Sequence, residues 1–235
     1  MRGFFNLDGP LFSFFSRIAD LAILNILFLI CSLPIVTIGA SLTAMSYVTL
    51  KMKDGVEGYV WKSFLKSFRQ NLRQATIIWI GMLLLLGLLG ADFLILRTMS
   101  GALRSVLFAV VLIGFLLWLL LLLYVFPILS RFDNTIPNTL RNALLIALAN
   151  APRALLMVFI LIAAFLVTFW NAMTIAGGIM IWLILGFALL SWINSTLQIP
   201  IFHKLMPEEE DESTSEYEIT TPEESTDATA SKDEE

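Results

Sequence analysis

Four stretches of this chain carry no Asp, Glu, Lys or Arg: 21–50, 74–91, 105–130 and 154–202. A helix needs about 20 predominantly apolar residues to cross a hydrocarbon core of about 30 Å. Inside that core no water is present to satisfy backbone amides, so uncharged stretches of this length must coil into helices. Four such windows in a chain of 235 residues leave little room for a water-soluble core. Composition agrees: 58% of residues are hydrophobic and 14% charged, where soluble domains carry about a quarter charged residues. The expected fold is all-α, a polytopic transmembrane helical bundle over residues 1–207.

The last window is long enough for two spans, and Gly177-Gly178 near its middle predicts the turn between them. The expected spans are 75–96, 103–129, 154–175 and 179–201. They follow a first segment over 14–33 that Pro34 ends or kinks. Residues 35–50 are apolar but dotted with Thr37, Ser41, Thr43, Ser46 and Thr49. Small hydroxylated residues suit a helix packed closely on other helices rather than on lipid. The resulting architecture has five full spans plus a short returning helix after the first.

Charge is divided between two parts. Residues 1–207 carry +8 and residues 208–235 carry −12, together the net −4 of the chain. The acidic part, with almost no apolar residues, is expected to be a disordered tail. A basic body beside a membrane follows from the positive-inside rule and implies no nucleic-acid partner. Loops 51–74 and 131–153 are both basic and fall on one side, which fixes a cytoplasmic C-terminus. If residues 14–50 form a hairpin, the N-terminus is cytoplasmic too and only Arg97 and Arg104 lie outside. If they cross once, Arg2 and Arg17 join those two outside. The hairpin gives the stronger asymmetry and is favoured.

Loop 51–74 contains an amphipathic pattern. Val60, Trp61, Phe64, Leu65, Phe68 and Leu72 recur at helical steps, opposite Lys62, Lys66, Arg69 and Arg73. Such a helix suits an anionic leaflet or an acidic partner. Trp61, Lys62, Phe64, Lys66, Phe68, Arg69 and Arg73 are the candidate docking residues, and the helix is expected to run into the span that follows. A second short helix is expected between Pro137 and Pro152, capped by Asn138 or Thr139.

Polar residues inside spans are functional candidates by default. Here they are Asp20, Asn25, Asp92, Asn171 and Asn194, with Gln198 beside them. Arg17 sits three residues from Asp20, within pairing reach on one helix face, and Asn171 and Asn194 on the last two spans have the option of facing one another. Amide side chains at such positions more often bond between helices than hold a ligand. His203 is the single histidine and Cys31 the single cysteine. No internal disulfide is possible, and no nucleophile–base pair, phosphate loop or metal-ligand spacing stands out. No catalytic residue, cofactor or metal is expected.

The stretch 24–79 resembles the YesL family of bacterial membrane proteins, also called the DUF624 family. Leu33-Pro34-Ile35-Val36-Thr37-Ile38-Gly39 carries the likeness, followed by Ser41-Leu42-Thr43-Ala44, Phe64-Leu65-Lys66-Ser67-Phe68 and Asn71. Gly3-Phe4-Phe5-Asn6 and Gly9-Pro10 also fit; Arg131-Phe132 and Asn142-Ala143-Leu144 fit more loosely. The acidic tail departs from the family pattern. The family has no established activity, but its members are often encoded beside carbohydrate ABC transporter components. The resemblance therefore implies a bacterial plasma-membrane accessory or assembly factor for carbohydrate ABC uptake, with permease subunits as partners. The EAA-type loop of a sugar permease is missing, so the chain is not read as the permease itself. A small-solute transporter or channel acting alone is the alternative.

Overall fold

The computed structural model describes residues 10–56 and 58–205, with side chains from residue 13 onward. The acidic tail falls outside the described residues. The described chain is helical: α1 (Pro10–Cys31), a short 3-10 turn (Ile35–Thr37), α2 (Ile38–Lys53), α3 (Val60–Leu96), α4 (Ala102–Arg131), α5 (Ile136–Ala149), α6 (Ala151–Thr168), α7 (Ala172–Ile181), a π-helical turn (Trp182–Gly186) and α8 (Phe187–Leu205). Six helical stretches are long and apolar enough to cross a membrane. This is a multi-helix membrane protein. The chain divides into a compact unit over 1–200 and a second part over 201–235, of which only the closing turn of α8 is described.

The small, hydroxylated helix takes the inside position. Of the most apolar 18-residue stretch of the α2 span 56% is buried, against 11% of the corresponding stretch of α3. Its Thr and Ser side chains return hydrogen bonds to their own helix, Thr43 to Gly39 O and Thr49 to Met45 O. Apolar faces of α1, α2 and the start of α3 then close a core around Leu24, Phe28, Ala44, Val48 and Phe64.

Helix α3 runs without interruption from the amphipathic segment into the apolar span. Its 37 residues extend for about 55 Å at about 1.5 Å per residue, well beyond a hydrocarbon core. Helix α4 returns alongside it: Trp118 Nε1 donates to Met82 O at 2.9 Å, and Phe126 packs on Trp79. An Asp54–Arg131 ion pair ties the loop after α2 to the end of α4.

Two expectations are corrected. Gly177-Gly178 is not a turn but lies within α7; the chain reverses at Phe169–Asn171. A β-carbon on Gly178 would stand 2.7 Å from Thr168 Cγ2, so this glycine serves close packing of α6 and α7. Nor do Asn138 or Thr139 cap α5. Thr135 precedes its first residue and Pro137 sits in its first turn, where the missing N–H costs nothing.

Candidate functional site

The interior polar groups gather where the helical ladder is interrupted. At Pro34 the ladder of α1 stops, and side chains reach in to carbonyls of the break. Thr37 Oγ1 donates to Cys31 O at 2.6 Å and Trp79 Nε1 to Ile35 O at 2.9 Å. Gly39 then lets α2 meet α3, since a β-carbon there would come within 2.6 Å of both Ala75 O and Trp79 Cβ. The Leu33–Gly39 motif thus consists of a stop, a repair and a close crossing.

The π-helical turn is a second interruption, because i→i+5 bonding strands carbonyls and an amide. Asn25, fully buried on α1, bonds to this turn from the neighbouring helix. Its Nδ2 donates to Trp182 O at 3.0 Å and to Leu183 O at 2.8 Å, while its Oδ1 accepts from Ala188 N at 3.0 Å. Pro127 makes the third interruption by removing the donor to Leu123 O. Gln198 Nε2 reaches that carbonyl at 2.8 Å. Asn25 and Gln198 are therefore repairs made from neighbouring helices.

A hydroxyl chain joins α2 to α8. Thr49 Oγ1 lies 3.0 Å from Ser191 Oγ and accepts from Ser195 Oγ at 2.8 Å. Beside it is a cavity of about 130 Å³ walled by Leu42, Met45, Leu123 and Phe126, with Ser46, Ser191, Asn194 and Gln198 as its polar lining. Asn194 Oδ1 is buried without a hydrogen-bond partner among the described residues.

The remaining span candidates separate from this interior. Asn171 is exposed and caps α7: its Oδ1 accepts from Met173 N and Thr174 N, each at 2.9 Å, and Thr174 Oγ1 accepts from Asn171 N. It stands in the α6–α7 turn, so the option of facing Asn194 is not taken up. Asp92 is exposed near the far end of α3, where Arg97 lies over the Phe93 ring. Asp20 is half-buried on α1, one turn from Arg17, which donates to Met52 O at 3.1 Å.

The amphipathic start of α3 splits in a way the sequence did not foretell. Phe64 is fully buried in the α1–α2–α3 core, and Phe68 stacks beside it at 6.2 Å. The aromatic face expected on lipid is thus largely taken up by the protein itself. Lys62, Lys66, Arg69 and Arg73 remain exposed as a stripe, with Trp61 at its end. Lys62 Nζ sits 4.7 Å above the Tyr59 ring. Among the described residues no group of His, Cys, Asp or Glu has the spacing to hold a metal ion.

What sequence reasoning missed was the role of Trp79 and Gly39. A tryptophan inside a span, forty-odd residues from a proline break, gives no local sign of its partner.

No curated protein and no solved structure matches the chain. Residues 21–93 match a family described as "Protein of unknown function, DUF624". The matched segment runs from α1 through the repaired Pro34 break and the Gly39 crossing to the far end of α3. Through that segment the chain is similar to the DUF624 family.

Proposed function

We propose that this protein is a non-catalytic accessory or assembly factor of a bacterial plasma membrane, acting on the permease subunits of a carbohydrate ABC uptake system. One observation carries the reading. Helix α3 joins an exposed cationic stripe, Lys62–Arg73, to an apolar half that runs beside α4 and leaves Leu84, Leu88, Leu94 and Ile95 uncovered. Such a helix offers a polar docking face and a lateral face for another helix in one rigid body. The stripe would face the cytoplasm under the positive-inside rule. The carbohydrate ABC assignment draws on the YesL resemblance.

The test is copurification with an ABC permease pair in mild detergent. Recovery of both together, lost when Lys66→Glu, Arg69→Glu and Arg73→Glu are combined, supports the proposal. Recovery of the chain alone counts against it.

The cavity beside Asn194 favours a second reading, a small-solute transporter, because an unpartnered amide oxygen there offers an acceptor to a ligand. Solute flux into liposomes containing only this protein, abolished by Asn194→Leu, would support it.

A further inference from the structure

We propose that α1 and α2 form a re-entrant hairpin whose turn, Ser32–Thr37, is immersed in the bilayer hydrocarbon instead of emerging on the far side.

Arm length argues for it first. Charge is absent from 21 to 50, and the turn lies at the centre of that window. Both helices are long enough to cross when their charged ends are counted, but the uncharged part of α1, 21–31, rises only about 16 Å and α2 with its 16 residues about 24 Å, against a hydrocarbon core of about 30 Å.

The chemistry of the turn argues for it independently. Leu33, Ile35 and Val36 stand exposed at its tip, Leu33 at 79%, and no charged residue accompanies them. Irregular backbone in hydrocarbon is tolerated only if its polar groups are satisfied. Here Cys31 O accepts from Thr37 Oγ1, Pro34 O from Thr37 N and Oγ1, and Ile35 O from Ile38 N and Trp79 Nε1, while Ser32 Oγ is left buried without a partner among the described residues. Ile23, Ile26 and Ile30 continue the exposed apolar stripe down α1 toward the turn's base.

Register along α3 supplies the depth. At its C-terminal end α2 meets the start of α3, Lys51 Nζ lying 3.5 Å from Ser63 Oγ. At the other end Gly39 meets Ala75 and Trp79. Beyond that crossing α3 continues for about 25 Å from Trp79 to Leu96, and that continuation is almost entirely apolar. A slab of about 30 Å placed around the α3–α4 pair therefore puts the hairpin turn inside it, far from the Arg97 end.

The experiment uses the full chain in sealed vesicles, in a Cys31→Ser background. Leu33→Cys and Val36→Cys probe the turn, Val56→Cys the α2–α3 loop, and Ser100→Cys the α3–α4 turn. All four positions are exposed, so these variants should fold. An impermeant maleimide should label Val56→Cys from one face and Ser100→Cys from the other. The turn variants should react at least about tenfold more slowly from either face. Nitroxides attached there before reconstitution should collide with oxygen in preference to a nickel chelate. Labelling of the turn from the Ser100 face would show a full crossing and overturn the proposal. Labelling from the Val56 face would place the hairpin outside the hydrocarbon and overturn it equally. If a turn variant is not recovered, the other decides.

Discussion

The two halves of α3 belong to one helix and obey different constraints. From Val60 to Trp79 one face is pressed onto α1 and α2, and Phe64 is fully buried. From Ile80 to Leu96 the helix has α4 as its neighbour, and Leu88 is 64% exposed. The first half is amphipathic because the protein supplies its apolar surroundings and water its polar ones. In the second half the lipid is as apolar as leucine, so no amphipathic pattern is needed. Helical continuity says nothing about what a helix touches.

The sharpest way to break this comparison is a matched pair of truncations. Phe64→Ala should lose about 3–5 kcal/mol, because it opens a cavity in a closed core. Leu88→Ala should lose less than about 0.5 kcal/mol, since lipid fills the space. Thermal unfolding in detergent measures both, and equal losses would dissolve the distinction.

Repairs should also outweigh caps. Asn25→Leu removes the side-chain bonds to Trp182 O, Leu183 O and Ala188 N inside the bundle, and about 2–3 kcal/mol of destabilisation is expected. Asn171→Ala removes an exposed helix cap and should lose about 1 kcal/mol. The same unfolding assay ranks them, and a larger loss at Asn171 would contradict the repair role of Asn25.

Glycines offer a third pair. Gly39→Ala forces Ala75 O and Trp79 Cβ apart and should destabilise by about 1–3 kcal/mol. Gly87→Ala meets nothing within 4 Å and should be neutral or stabilising by up to about 1 kcal/mol through helix propensity. Yield and melting temperature of the two variants, side by side, report the sign.

The smallest effect is expected at the stripe. Lys66→Glu with Arg69→Glu changes exposed charge and should shift stability by under about 0.5 kcal/mol. Its consequence should appear in partner recovery alone. A large loss of stability would mean that the stripe belongs to the fold.

The all-helical fold, the inside position of α2, the continuity of α3 and the helix between Pro137 and Pro152 were all legible in residues. Each is a consequence of local composition and period, and the solvent enforces it. Gly177-Gly178 misled because glycine marks a turn in water but a close approach between helices in a membrane. Phe64 misled for a related reason: a helical period shows that a face is apolar, not whether lipid or protein will cover it.

Sequence alone determined that the chain lives in lipid as helices, since unsatisfied amides there leave no other choice. Only tertiary structure decided what Asn25, Trp79 and Gln198 do. Each answers a backbone group on a different helix, and pairings between distant segments leave no mark in local pattern. The cationic stripe was visible from spacing. That its aromatic side is already occupied emerged only once α1 and α2 were folded against it.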